Sequence, residues 1–162
     1  MMRVGIISDT HGLLRPEAAA ALEGSDVIVH AGDIGRIEVI EALHAICPVT
    51  AIKGNIDTDL WADDFAEHAV LDVGDTRIYV IHSRKDLSLD PAAEGIHVVV
   101  SGHSHKPHVE TVDDVLYINP GSAGPRRFSL PICIAKLTVE GRDLRAEIVE
   151  LDIQKAITST RQ

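Results

Sequence analysis

The chain has 162 residues, a net charge of −10 at pH 7, 45% hydrophobic residues and 3% aromatic residues. This length supports one well-buried core and is short for two ordinary domains. The acidic balance argues against a protein that binds nucleic acid mainly through its phosphates. The scarcity of aromatic side chains leaves few platforms on which unpaired bases could stack. The composition therefore indicates a globular protein without a favoured nucleic-acid partner.

Cysteine usage and hydropathy bear on the compartment. Cys47 and Cys133 lie far apart and form no CxxC pair, so we expect buried free thiols in a reducing environment. The N-terminal apolar run is interrupted at Asp9, which makes it too short for a signal peptide. No stretch approaches the roughly 18 apolar residues of a membrane span. We therefore expect a cytoplasmic protein with no membrane partner.

The first half of the chain alternates predicted strands and helices. The apolar, β-branched segments are typical of buried strands, and Pro16 occupies a helix start, where proline is tolerated. The predicted strands are 3–8, 26–30 and 48–53, and the predicted helices are 16–23 and 36–45. This β-α-β-α-β order predicts right-handed crossovers and a parallel core.

The second half is predicted to be mainly β-hairpins. Turn residues separate three pairs of apolar segments, and one further buried strand, 97–100, precedes a histidine-containing loop. The predicted hairpin strands are 69–73 with 76–81, 108–112 with 115–118, and 132–139 with 144–151. We expect an α/β protein with two mixed sheets packed face to face and helices outside them. A single domain over residues 1–153 and a polar C-terminal tail over residues 154–162 complete the predicted organisation.

Residues of metal-ligand type follow the predicted strands. They lie in five short segments: Asp9-Thr10-His11, Gly32-Asp33, Gly54-Asn55-Ile56-Asp57, His82, and Gly102-His103-Ser104-His105. Because strand ends of an α/β sheet form ligand sites, segments distant in sequence can meet there. Carboxylate and imidazole donors together suit Mn, Fe, Co, Ni or Zn better than Ca. We therefore predict a divided metal site, with Gly32 and Gly54 allowing close backbone approach.

The ordered set DxH, GD, GNxD, H and GHxH, followed by Asn119-Pro120-Gly121-Ser122, closely resembles the calcineurin-like metallophosphoesterases. The resemblance is to their small, single-domain bacterial and archaeal branch and spans Arg3 to Ser122. It implies a four-layer αββα sandwich of two mixed β-sheets flanked by helices. It also implies a binuclear metal-dependent enzyme that hydrolyses phosphodiester bonds, and phosphomonoester bonds as a further class.

The resemblance assigns the ligands residue by residue. Asp9, His11 and His105 would bind one metal ion. Asn55, His82 and His103 would bind the other, and Asp33 would bridge the two. The residues expected to take part in catalysis are Asp33, Asn55 and His103. Manganese is the expected metal, with Ni, Co, Fe or Zn as alternatives, and a metal-bridging hydroxide would attack the phosphorus.

Two departures from the family pattern stand out. Many members have His as a general acid where this chain has Ile56, and relatives often have Gly where this chain has Ser83. Asp57 is the nearest titratable substitute for the missing acid, and an exposed structural carboxylate is the alternative reading. Because general acid catalysis is worth about 10²–10⁴-fold, we predict a preference for good, phenol-like leaving groups.

Further residues are candidates for substrate contact. Arg126 and Arg127 follow the Asn119-Pro120-Gly121-Ser122 loop, where an arginine could grip a substrate phosphate; a solvated pair is the alternative. His30 is expected to hydrogen-bond a neighbouring loop.

Two other functions compete with a phosphoesterase that acts on small substrates. One is a non-catalytic metal-binding protein-interaction scaffold of the same fold, as in the retromer subunit. The other is a nuclease, which the small, acidic chain disfavours. A homo-oligomer is left open.

Overall fold

The computed structural model describes residues 1–153, and the predicted polar tail lies outside the described residues. Ten strands form two five-stranded mixed sheets, in the orders β10-β9-β1-β2-β3 and β4-β5-β6-β8-β7. The strands of the first sheet are β1 Met2–Ile7, β2 Val27–His30, β3 Val49–Ala51, β9 Cys133–Glu140 and β10 Asp143–Glu150. Those of the second are β4 His68–Val73, β5 Thr76–Ile81, β6 Val98–Val100, β7 His108–Val112 and β8 Val115–Asn119.

The first sheet is parallel where helices connect its strands. The β1-β2 and β2-β3 pairs are parallel, whereas β9 pairs antiparallel with both β1 and β10. The crossovers contain α1, Pro16–Leu22, and α2, Ile37–His44. Both helices pack on the outer face of this sheet through apolar side chains that include Leu22 and Leu43.

The main core lies between the two sheets. Alternating residues of β1 and β9, such as Ile6 and Leu137, pack against Val80 and Val98 of the second sheet. The side-chain period of two in a strand explains why one face of each strand is apolar. The predicted face-to-face sheets are therefore confirmed.

The outer layer over the second sheet is thinner than a helical layer. Leu87 and Leu89 cover Tyr79, Ile81 and neighbouring apolar side chains. Their segment contains only a short 3₁₀ helix, Arg84–Asp86. Two leucines spaced two residues apart cannot form one face of an α-helix, so the segment packs in an irregular conformation. Within residues 1–153, no helix is long and apolar enough to cross a membrane.

Candidate metal centre

The seven predicted ligands come from loops at the same end of both sheets. The first sheet supplies Asp9, His11, Asp33 and Asn55, and the second supplies His82, His103 and His105. Only His82 follows directly on its strand, β5. The other six ligands lie two to five positions beyond the end of the preceding strand, so each loop turns back over the sheet edge. The site therefore straddles the junction of the two sheets.

The backbone is left-handed at five of these ligands. Positive φ angles occur at Asp9 (56°), His11 (47°), Asp33 (57°), His103 (70°) and His105 (64°). Such angles are uncommon for residues other than glycine and concentrate at functional sites. They supply the bend that lets Asp9 and His11, separated by one residue, face the same point.

Glycines allow the loops to approach one another. A Cβ on Gly32, whose φ is +101°, would lie 2.7 Å from Nδ1 of His82. A Cβ on Gly54 would overlap Oδ1 and the backbone nitrogen of Asp33. Any side chain at either position would therefore displace a ligand, which agrees with the roles predicted for these two glycines.

The structure brings five of the predicted ligands into two overlapping groups. Asp9, His11 and His105 form one group and Asp9, Asp33 and His82 form the other, with the donor atoms of each group within 4.8 Å of one another. Nε2 of His105 lies 3.5 Å from Oδ1 of Asp9. Nε2 of His11 and Nε2 of His82 lie 3.7 Å and 3.3 Å from Oδ2 of Asp33. The carboxylates are thus central and the imidazoles surround them.

The donor atoms that face this space are buried and unsatisfied, as a cation site requires. Oδ2 of Asp9 accepts hydrogen bonds from the Ser8 hydroxyl (2.7 Å) and the His103 backbone N–H (3.0 Å). Among the described residues 1–153, Oδ1 of Asp9, Nε2 of His11 and Nε2 of His82 find no hydrogen-bond partner. Nδ1 of His82 lies 2.7 Å from the Ala31 carbonyl, to which it donates, leaving the Nε2 lone pair free for a metal. These residues fit a divalent cation.

The pKa values of the two central carboxylates, Asp9 and Asp33, are shifted in opposite directions. Burial raises the pKa of Asp9 to about 6, despite the Ser8 hydrogen bond that opposes it. Burial also acts to raise the pKa of Asp33, but its interactions with His82, followed by Ile56 and His11, outweigh it and lower that pKa to about 2. Asp33 is therefore ionised throughout the neutral range, whereas a cation beside Asp9 would favour its ionised form.

A positive charge lies near the group that contains His11 and His105. Burial lowers the pKa of His105 to about 4, with Arg127 as the next cause. Burial also lowers the pKa of His11, where Arg127 acts in the same direction against the opposing Asp33. Both Arg126 and Arg127 are exposed, and Arg126 donates to the Leu130 carbonyl at 3.3 Å. Of the two, Arg127 is the one whose charge acts on His11 and His105.

Asn55 and His103 are the exposed members of the predicted set. The His103 ring centroid lies 5.2 Å from that of His82, and the two rings are nearly perpendicular. Asn55 and His82 line the same cavity, of about 660 Å³. Both exposed residues therefore lie at the mouth of the site rather than in its buried floor.

Asp57 is buried, so the alternative in which it is an exposed structural carboxylate is wrong about its exposure. Oδ2 accepts hydrogen bonds from the backbone N–H groups of Ile34 (3.0 Å) and Gly54 (2.8 Å), and Oδ1 accepts one from Gly35 (2.9 Å). Three backbone donors fix the carboxylate between the Asp33 and Asn55 loops. This arrangement favours a role in positioning those loops.

His30 links two further loops, as expected. The backbone N–H of Gly32 donates to its Nδ1 (3.1 Å), so its Nε2 carries the proton and donates to the Thr10 hydroxyl (3.0 Å). Thr10 in turn donates to the Ile34 carbonyl at 2.8 Å. Complete burial lowers the pKa of His30 to about 3, which keeps it neutral. The sequence reading missed Thr10 and Ser8, whose only signal is that they flank Asp9.

Comparisons with known proteins identify the family of the chain. The sequence model of the calcineurin-like phosphoesterase superfamily domain matches residues 2–142. A probable metallophosphoesterase of Methanocaldococcus jannaschii is 33% identical over 164 residues, covering 93% of this chain and 82% of that protein. The chain belongs to the calcineurin-like phosphoesterase superfamily, and the resemblance seen in the sequence is confirmed.

Solved structures place the fold in the same group. An archaeal phosphodiesterase is similar with a TM-score of 0.75 and 26% identity, covering 91% of this chain and 100% of that one. Vps29 of Chaetomium thermophilum gives a TM-score of 0.75 at 18% identity, covering 92% and 97% of the two chains. The latter likeness is one of fold alone. The fold is the αββα sandwich of the metallophosphoesterases, with its fourth layer reduced as described above.

Proposed function

We propose that this protein is a metal-dependent phosphodiesterase with a binuclear site. The observation that carries the proposal is the convergence of Asp9, His11, Asp33, His82 and His105, with unsatisfied buried donor atoms facing one space. Membership of the phosphoesterase superfamily and similarity to an archaeal phosphodiesterase support the same class of reaction.

The ligands divide between two ions in the proposed site. Asp9, His11 and His105 would hold one ion, and Asn55, His82 and His103 would hold the other. Asp33 would be shared between the two sets, since its Oδ2 lies 3.7 Å from Nε2 of His11 and 3.3 Å from Nε2 of His82. Asp9 belongs to both geometric groups and supplies additional negative charge between them. Manganese is the proposed metal, and Ni, Co, Fe and Zn suit the same donors.

Bound divalent ions in such a site supply hydroxide near neutral pH and neutralise charge on the phosphoryl oxygens. The residues of the chain then orient the substrate. Asn55 and His103 lie at the exposed mouth. An Asn55 that ligates through its amide oxygen would keep its N–H donors for a phosphoryl oxygen. Arg127 adds positive charge on the side of His11 and His105. Asn55 and Arg127 would therefore help to hold the phosphorus centre in position for in-line displacement.

The two residues that follow Asn55 are poorly suited to protonate the leaving group. Ile56 follows Asn55, is 46% exposed, and has no proton to donate. Asp57 is buried in the lining of the same cavity as Asn55, and its carboxylate is engaged as the acceptor of three backbone hydrogen bonds. We therefore propose diesters with stable leaving anions as the substrates that are hydrolysed fastest.

Hydrolysis of bis(p-nitrophenyl) phosphate by chelator-treated protein, resupplied with Mn, Ni, Co, Zn or Mg, tests the proposal. Asp33→Asn is expected to abolish the metal-restored activity. Asp114→Asn, an exposed turn position with φ of 65°, is the matched control and should retain it. If the folded wild-type protein hydrolysed nothing with any of these metals, the proposed phosphodiesterase activity would be refuted. Metal binding detected by calorimetry, without hydrolysis of the ester, would favour the non-catalytic metal-binding scaffold, which the fold likeness to Vps29 keeps as the second candidate.

A further inference from the structure

Two cavities open on either side of the His82-Ser83 segment, and Ser83 lines both of them. The acidic cavity, of about 660 Å³, has Asp57, Asp63, Glu67 and Asp86 in its lining. The Arg84 cavity, of about 420 Å³, is lined by residues that include Arg84, Lys85, His103, Lys106 and Tyr117. Both border the proposed metal site, the first through Asn55 and His82 and the second through His103. A substrate at that site can therefore extend in two directions that differ in charge.

The charge of the Arg84 cavity is opposite to that of the protein. Its lining contains Arg84, Lys85 and Lys106 and no carboxylate, although the chain carries a net charge of −10. The lining of the acidic cavity has Lys53 as its only lysine or arginine, against four carboxylates. An anionic extension of a substrate would be repelled from one cavity and attracted into the other.

Two contacts within the protein favour one position of the Arg84 guanidinium. Its Nη1 donates to Oε2 of Glu110 at 2.9 Å, and its guanidinium lies 3.9 Å from the centroid of the Tyr117 ring. His108 Nε2 lies 2.6 Å from the same Glu110 oxygen, so Glu110 is shared between two basic partners. A stacked guanidinium keeps further N–H donors available in a fixed plane, which suits a phosphate group.

The two lysines of the cavity are available to pair with an anionic ligand. Across residues 1–153, neither Lys85 nor Lys106 forms an ion pair with a carboxylate. Lys106 follows His105 directly, which places its charge beside the proposed metal ligands. Asn119 also lines the Arg84 cavity. Its Nδ2 donates to the Gly102 carbonyl at 3.0 Å and so stabilises the loop that carries His103.

We infer that the Arg84 cavity binds a second phosphate of the substrate, separate from the phosphate that is hydrolysed. The inference rests on the proposed function and narrows its substrate class to phosphodiesters that carry an additional phosphomonoester group. The cavity volume is within the range of small-ligand sites, and His103 connects it to the reacting phosphate. The reaction itself is unchanged: water attacks the diester phosphorus, the ester P–O bond breaks, and the alcohol leaves with the proton.

A pair of chromogenic substrates tests the inference. Thymidine 5′-(p-nitrophenyl phosphate) is compared with the same compound carrying a 3′-phosphate, and the ratio of the two kcat/KM values is measured with the manganese-loaded enzyme. The wild type should favour the 3′-phosphorylated substrate by about tenfold or more, the effect of one or two charge-assisted hydrogen bonds. Arg84→Gln should bring the ratio towards one while leaving kcat/KM for the unphosphorylated substrate unchanged.

Two further variants keep the test decisive. Lys85→Gln preserves the Arg84-Glu110-Tyr117 contacts and should lower the same ratio. Arg77→Gln is the matched control, because Arg77 is also half exposed and ion-paired, with Asp72 at 2.9 Å, but lies outside the cavity lining. A wild-type ratio near one, or a ratio that Arg84→Gln and Arg77→Gln change equally, would overturn the inference.

A binding measurement separates this inference from the proposed function. Calorimetry on chelator-treated protein compares thymidine 3′,5′-bisphosphate with thymidine 5′-phosphate. Tighter binding of the bisphosphate by wild type than by Arg84→Gln would support the cavity even if no substrate were hydrolysed, an outcome that refutes only the esterase. Equal binding of the two nucleotides by the wild type would count against the cavity whatever the activity.

Discussion

Nε2 of His82 lies 3.3 Å from Oδ2 of Asp33, although the two residues follow strands of different sheets. The same junction is crossed by the hydrogen bond from His82 Nδ1 to the Ala31 carbonyl and by the one from the His103 N–H to Asp9. Four proposed ligands come from the first sheet and three from the second. A cation at this site would therefore tie the two sheets together.

We expect metal binding to stabilise the protein more at neutral than at acidic pH. The folded-state pKa of Asp9 is raised from 3.8 to about 6, so in metal-free protein its contribution to stability is full below about pH 4 and is lost as the pH rises through 6. A cation favours the ionised carboxylate and removes this loss. At a hundredfold excess over Kd, binding adds about 2.7 kcal/mol.

Thermal unfolding with and without manganese, at pH 5 and pH 7.5, measures this effect. The increase in Tm should be larger at pH 7.5. Asp9→Asn should bind the ion weakly and show little difference between the two pH values. Equal stabilisation of the wild type at both pH values would contradict the prediction.

The strands, and the meeting of several candidate ligands at one edge of the sheets, could be predicted from the sequence because they depend on local patterns. Strand alternation places Ile6 in the core, and the positions after the strands carry Asp9, Asp33 and His82 to one edge. The contacts of Asp57 with Ile34 and Gly35 join residues more than 20 positions apart, and no periodicity indicates them. The stacking of Arg84 on Tyr117 could not be predicted from the sequence for the same reason.

Asp57→Asn should weaken both folding stability and metal binding. An asparagine amide offers one oxygen where the carboxylate accepts three backbone N–H groups, so at least one buried donor loses its partner. The expected loss is about 1–3 kcal/mol. Urea unfolding of metal-free protein measures the first effect, and a manganese titration at low temperature measures the second. Unchanged stability with a selective loss of kcat for poor leaving groups would instead identify Asp57 as the proton donor.

Arg127→Gln should raise KM for bis(p-nitrophenyl) phosphate by about tenfold or more, because it removes the positive charge beside His11 and His105. Arg126→Gln is the matched control, since Arg126 is exposed and its guanidinium donates to the Leu130 carbonyl. Steady-state kinetics of the two variants should separate them. Equal KM values would show that the pair is solvated and does not contact the substrate.

Ile56→His should supply a proton donor at the position after Asn55, where the isoleucine side chain has none. Ile56 is 46% exposed and follows Asn55, so an imidazole there can reach a leaving oxygen without displacing core residues. Across aryl phosphodiesters of increasing leaving-group pKa, kcat should fall steeply in the wild type and less steeply in the variant. For the poorest leaving group the gain should approach about 10²-fold. The gain should disappear above about pH 6.5, where a histidine loses its proton.

Ile56→Gln, of similar size but without a titratable group, should behave as the wild type. A shallow dependence on leaving-group pKa in the wild type itself would show that the protein already contains an acid and would refute the predicted preference for good leaving groups.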